Sequence, residues 1–203
     1  MAYHGPKVRL SRRLGMAVAE IPKHLGLKEA KRPGMHGYRQ PRLSQYGMQL
    51  LEKQKVASYY NIGDAQLRRY MKLASAASEP STVVLQRLVE TRLDNVIRRV
   101  RWARAVWQGR QMVSHGHFYV NNKKVTKPSY ELKPGDTITV RDHSREFVKT
   151  AAASAAEATL YVPEWVAVDQ DNLVATVLRY PTFEEVRTPL EIDYSKVVEY
   201  YRR

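Results

Sequence analysis

Cysteine is absent from this 203-residue chain. That excludes disulfides and thiolate-held metals and fits a reducing compartment. Long apolar runs are also missing. None approaches the roughly 18 residues of a membrane span, and neither end carries a helix with a Lys/Arg face opposite a Trp/Leu face. Lys7 and Arg9 interrupt the only place for a signal core. A soluble intracellular protein without membrane contact is the expectation. No Gly-rich phosphate loop of the Walker or dinucleotide type occurs, and no internal repeat. Acids are scarce at the front: the first 55 residues hold twelve Lys or Arg and three Asp or Glu, whereas the last 53 hold five against nine. The net charge is +14 and the isoelectric point is near 10.0. A chain so cationic repels itself until a polyanion relieves the repulsion, and nucleic acid is the partner that matches best.

The pattern of elements predicts an α+β protein: a helical N-terminal domain with an inserted RNA-binding module of two helices and a small antiparallel sheet. Residues 1–43 read as a basic, irregular extension, because Pro33, Gly34, Gly37 and Pro41 punctuate it. Its one candidate helix lies within 17–30. Residues 44–90 read as a helical domain, with Ser44 as N-cap of a helix to about Tyr60 and a second helix over 64–74. Leu85, Leu88, Val89, Leu93, Val96, Ile97 and Val100 then fall on one stripe at helical spacing. The stripe predicts a single helix with Arg87, Thr91, Asn95, Arg98 and Arg99 on the opposite, solvated face. Residues 91–155 read as the RNA-binding module. A helix over 103–114 stops at Gly116, and a hairpin turns at Asn121-Asn122, residue types that tolerate left-handed backbone. A further strand covers 137–141, and an Ala-rich helix 144–159. Residues 156–203 read as a C-terminal hairpin around Gln170-Asp171 and a helix over 195–201, packing back on the preceding domains.

Between Thr91 and Gln111 stand six arginines and one acid, Asp94. A solvated face laced with salt bridges needs more carboxylates than that. Guanidinium groups suit phosphates, which they grip bidentately. Three other constellations compete. Arg92-Leu93-Asp94 matches the catalytic triplet of pseudouridine synthases, but a catalytic Asp needs a pocket in a large sheet domain; a helix residue paired with neighbouring arginines is the better reading. His115 and His117 have the residue type of metal ligands but lack a thiolate or nearby carboxylate. Phosphate or base contact suits His115. Trp102, Trp107 and Trp165 have rings that stack on bases, yet core is the usual fate of Trp at such spacing.

The motifs Gly5-Pro6-Lys7-Val8-Arg9-Leu10-Ser11-Arg12-Arg13, Pro33-Gly34-Met35-His36-Gly37, Pro41-Arg42-Leu43-Ser44-Gln45-Tyr46-Gly47 and Glu52-Lys53-Gln54-Lys55-Val56 resemble the N-terminal signatures of the bacterial-type fourth small-subunit ribosomal protein family. Thr91-Arg92-Leu93-Asp94-Asn95-Val96, Gln111-Met112-Val113-Ser114-His115-Gly116-His117 and Pro134-Gly135-Asp136-Thr137-Ile138 resemble the RNA-binding module named after it. The resemblance runs along nearly the whole chain. It implies a structural constituent of the small ribosomal subunit that binds its 16S-type RNA directly. It also implies that the protein nucleates assembly and contributes to translational accuracy, without catalysis, cofactor, metal or small-molecule substrate. The implied protein neighbour is the fifth small-subunit protein, with the third as a further candidate. A cytoplasmic ribosome is expected, and an organellar one stays open. On this reading RNA meets Arg9, Arg12, Arg13, His36, Arg39, Arg42, Lys53, Lys55, Arg92, Asn95, Arg98, Arg104, Arg110, Gln111, Ser114, His115 and Lys123. The chain departs from the family pattern in three places: it lacks the zinc-binding cysteines of many relatives, it carries Arg101 where Gly is usual and Val106 where a basic residue is usual, and it has Asn122 in place of a turn glycine. Two rivals remain: a free-standing RNA-binding translational regulator, and an RNA-modifying enzyme with an appended module.

Overall fold

The computed structural model describes residues 5–19, 32–38, 42–156, 162–186 and 192–202. Among them, in chain order, lie α1 (Lys7–Leu14), α2 (Gln45–Tyr59), α3 (Asp64–Ala76), α4 (Ser81–Glu90), α5 (Leu93–Arg99), α6 (Val106–Ser114), β1 (Phe118–Val120), β2 (Lys123–Lys124) and β3 (Thr137–Val140). A single 3-10 turn, Asp142–Ser144, leads into α7 (Arg145–Ala156), followed by β4 (Val166–Asp169), β5 (Val174–Val177) and α8 (Tyr194–Tyr201). The chain divides into two compact units, residues 1–86 with 188–203, and residues 87–187. The architecture is α+β.

In the first unit, α1 forms inside the stretch expected to be irregular. Its sequence buries Leu10, Ser11 and Leu14 on one side at helical spacing, and Gly15 ends it in the left-handed region at φ +67°. The helix expected within 17–30 lies mostly outside the described residues. Ser44 caps α2 by accepting the Gly47 N–H at 3.2 Å. The C-terminal α8 covers α2: the Tyr60 and Tyr194 hydroxyls meet at 3.1 Å, Gln49 Nε2 donates to Glu199 at 2.9 Å, and the Asp193 N–H donates to Glu52 at 3.1 Å. Tyr201 donates to Asp64 at the start of α3. Partial burial first, and then that carboxylate, push the Tyr201 hydroxyl well above the usual tyrosine range.

In the second unit five antiparallel strands run in the order β2-β1-β3-β5-β4. Asn121 and Asn122 turn β1 into β2 with φ +50° and +62°, the left-handed pair a tight hairpin needs. Phe118, Val120, Ile138, Val140, Ala175 and Val177 face a core shared with Leu93, Val96, Ile97, Val100, Trp102, Val148 and Trp165. Alternate residues Tyr119, Thr139 and Val174 align across the other face. The C-terminal quarter is therefore not one segment. Its hairpin β4–β5 extends the module's sheet through β3, and its helix α8 belongs with the first unit.

The helix expected through 85–100 is two helices. The chain breaks at Thr91-Arg92, where Arg92 is extended at φ −66°, ψ +138°. The segment 128–132 clamps the break: Leu93 N–H donates to the Tyr130 carbonyl at 2.9 Å, Asp94 N–H to Pro128 at 3.2 Å, and Leu132 N–H to Thr91 at 2.9 Å. The first two bonds satisfy amides at the start of α5 that no helical carbonyl reaches.

Candidate nucleic-acid interface

The polar face of the expected long helix is buried from Thr91 onward, not solvated, and only Arg87 is half-exposed. Arg92 is 2% exposed and Asp94 is 0% exposed. Arg92 grips Asp94 in a bidentate pair, Nε to Oδ1 at 3.0 Å and Nη2 to Oδ2 at 2.6 Å. Arg110 approaches the same carboxylate at 3.8 Å from α6. Burial still raises the Asp94 carboxyl above the usual range, against the pull of Arg92. Behind it, Glu90 receives Arg99 at 3.0 and 2.7 Å and the Asn95 amide at 2.8 Å, while Asn95 Oδ1 receives Arg98 at 3.2 and 2.8 Å. The placement of Arg92, Asn95 and Arg98 on an open RNA face is thus corrected. Arg92 is engaged by the buried Asp94 and Asn95 by the buried Glu90, charges that require partners, and Arg98 is held in turn by the Asn95 carboxamide. Asp94 is sealed from any substrate base, which removes the geometric ground for the synthase-like triplet.

The α6 side of the module is open. Gly109 lets α6 approach α5 closely: a Cβ there would lie 2.8 Å from the Asp94 carbonyl oxygen. That packing turns Gln111, Ser114 and His115 outward, where all three are exposed, with Arg110 half-exposed beside them. Gly116, at φ +75°, ends the helix, and a Cβ on it would run into the Lys124 side chain. Lys124 therefore lies over the end of α6. Exposed Lys123 precedes it on β2. Arg104 is half-buried; its backbone N–H donates to Gln108 at 2.8 Å, and its Nε has no partner among the described residues. Arg101, at φ +64°, occupies the left-handed position suited to glycine. His117 is tied instead to Ser144 Oγ at 2.8 Å, and burial and the neighbouring His115 lower its pKa. Trp102 and Trp165 are core residues, and Trp107 is half-buried.

At the front, Arg9 and Arg13 are exposed, and Arg12 is half-buried. Arg9 and Arg13 line a cavity of about 500 Å³ with Arg32, Leu10 and Pro33. Arg32 was not singled out in the sequence, although its type and its place before Pro33 match its neighbours. His36 is exposed and meets Tyr38 edge-on at 6.3 Å; Arg42 is exposed. Arg39 lies outside the described residues. Lys53 and Lys55 are placed differently from the expectation. Lys53 pairs with Asp64 and sits over the rings of Tyr200 and Tyr201 at 5.2 and 5.9 Å, and Lys55 pairs with Glu52 at 2.6 Å. Their side chains are only 13% and 17% exposed. The Lys53 hydrogen bond in turn holds the Asp64 carboxyl below its usual range. Lys53 thereby ties α2 to the start of α3, whereas the Lys55 pair lies within α2.

Among the described residues no group of three or more His, Asp or Glu side chains is placed to hold a metal, and no helix is long and apolar enough to cross a membrane. A family model described as "Ribosomal protein S4/S9 N-terminal domain" matches residues 2–90, and one described as "S4 domain" matches residues 91–138. The chain is similar to "Small ribosomal subunit protein uS4" of Thermotoga petrophila, with 41% identity over 207 residues and 99% of each chain covered. The proteins of the same description from Natranaerobius thermophilus and Rubrobacter xylanophilus are 40% and 39% identical, covering 99% of this chain and 99% and 98% of their own.

Proposed function

The chain belongs to the uS4 family of small ribosomal subunit proteins, and from that premise we propose how its surface meets RNA. The protein is a structural constituent of the small ribosomal subunit and binds its RNA; the role is binding, not catalysis. The contact runs over two basic patches: Arg9, Arg12, Arg13 and Arg42 at the front, and Arg104, Arg110, Lys123 and Lys124 in the module, with His36, Gln111, Ser114 and His115 beside them. The observation that carries this reading is that these cations are exposed or half-exposed, whereas among the other described candidates Arg92 and Arg98 are buried against Asp94 and Asn95, and Lys53 and Lys55 are paired with Asp64 and Glu52. Ribosomal RNA offers phosphate ridges beside a wide, shallow groove, which exposed cations on either unit reach.

Assembly nucleation follows from the same design, since a protein that needs only RNA to discharge its surface binds before protein neighbours arrive. The acidic last quarter supports a protein-facing role, and the fifth small-subunit protein is the proposed neighbour, with the third as a further candidate. That contact is the proposed route to translational accuracy. The site of action is the ribosome of the cytoplasm.

Filter binding to small-subunit RNA across a salt series tests the RNA contact. With about eight phosphates neutralised, log affinity falls against log salt with a slope of roughly −6 to −7. A slope near zero refutes the reading. Sedimentation adds a second check: the protein stays with small subunits at moderate salt, whereas a free regulator leaves them.

A further inference from the structure

The outer face of the sheet carries a second, separate feature. A cavity of about 360 Å³ opens there, lined by Tyr119, Asn122, Thr139, Arg141, Arg145 and Asn172, among others. It lies within the second unit and on the side of the strands opposite the core. The strand register sets its floor. Tyr119, Thr139 and Val174 follow one another across β1, β3 and β5. Tyr119 is half-buried at the β1 end of that row, and Arg141 is exposed at its rim. Arg145 is anchored: its Nη2 donates to the Asn172 carbonyl at 2.7 Å and its Nη1 faces Asp142 at 3.5 Å. That pairing partly neutralises the one acid on the cavity's edge. The wall thus offers an aromatic ring, two guanidiniums, two carboxamides and a hydroxyl around one concavity.

Each part has a matching ligand group. A half-buried tyrosine on an open sheet face is a stacking surface for a base. Arginine grips a phosphate. Carboxamides and hydroxyls both donate and accept, and so read the polar edge of a base. We propose that this cradle holds one unpaired nucleotide of single-stranded RNA, stacked on Tyr119 with its phosphate at Arg141. The cradle is distinct from the basic patches. It rests on the reading of the protein as an RNA binder but uses none of the residues assigned there.

The test uses the full chain and two kinds of probe. The first is fluorescent octauridylate and octaadenylate; the second is folded small-subunit RNA. Tyr119→Thr keeps a strand-forming residue in β1, and Arg141→Ser changes only an exposed side chain. Expected is a roughly 5- to 150-fold weaker octanucleotide affinity in Tyr119→Thr, the fold-change that one base–ring stack is worth. A smaller loss is expected in Arg141→Ser, and in both variants a change of less than about threefold for folded RNA at low salt. A 5-bromouridine octamer irradiated on the wild-type protein should cross-link to Tyr119. Unchanged octanucleotide affinity in the folded Arg141→Ser and Tyr119→Thr proteins overturns the proposal, as does a cross-link elsewhere. Uridine monophosphate that binds as tightly as the octamer also overturns it, since the cradle then serves a free nucleotide. Loss of folded-RNA binding in Lys123→Glu, with octamer binding kept, separates the fate of the basic patch from that of the cradle.

Discussion

Arg92→Ala separates a structural arginine from an RNA-binding one. The truncation leaves Asp94 wholly buried with one cation, Arg110, 3.8 Å away and half in solvent. Breaking a buried pair from one side costs about 3–5 kcal/mol, because the remaining charge keeps its desolvation penalty and loses its partner. For a chain of this size that is roughly 6–20 °C in Tm. The pH dependence has a defined sign. The Asp94 carboxyl is already raised by burial, so folding favours its protonated form. Its contribution is greatest below the unfolded carboxylate range and is lost as pH rises through the raised folded value. Without Arg92 the carboxyl rises further, and the variant's deficit shrinks as pH falls. Urea melts of both proteins at several pH values read this directly. Arg92→Met combined with Asp94→Leu, which removes both charges, recovers most of the loss. A variant with unchanged Tm and sharply weakened RNA binding would refute the reasoning and return Arg92 to the surface.

Gly109→Ala should cost about 1–3 kcal/mol despite the better helix propensity of alanine, since its Cβ meets a backbone oxygen at 2.8 Å that cannot swing aside; equal melting temperatures would show that α5 and α6 have room to part. Arg101→Gly should stay within about 1 kcal/mol of wild type, relief at φ +64° offsetting the unfolded-state entropy of glycine. Arg101→Val should lose about 1–3 kcal/mol, as a β-branched residue does in that region; thermal denaturation compares all three proteins. The Glu185 carboxyl is lowered to about 2, first by Arg179 and then by the Thr182 N–H. The local order this supports is present above the unfolded range near 4.5 and is lost as pH falls toward 2, which amide exchange across 179–186 should show at those pH values.

Much of the fold was legible wherever a local rule had a single outcome. Ser44 before a run of helix formers, two asparagines between short strands and Gly116 after α6 each specify a backbone geometry that neighbouring residues cannot mimic. The apolar stripe at Leu93, Val96, Ile97 and Val100 does reach the core. The break at Thr91-Arg92 was hidden because hydrophobic spacing continues across it in phase; only the distant segment 128–132 reveals it. The buried network was misread for a related reason. Arginines opposite an apolar stripe look alike whether water or Glu90 and Asp94 receive them, and Glu90 sits too far along the chain to be noticed as the partner of Arg99. The pairing of Lys53 with Asp64 was hidden by the same kind of separation, whereas Lys55 with Glu52 is a three-residue spacing open to inspection. The union of β5 with β3 crosses a helix and a loop, and no sequence periodicity encodes such a pairing.

The coverage of α2 by α8 has a temporal side. Gln49 waits for Glu199, 150 residues later in the chain. At about 5–20 residues per second of synthesis, that interval lasts roughly 8–30 s. For most of it Tyr60 lacks its Tyr194 partner, and the sheet unit is finished only near the end, since its last strand closes at Val177, 22 residues before Glu199. The nascent chain therefore offers a finished RNA-binding module ahead of a front half still waiting to be closed.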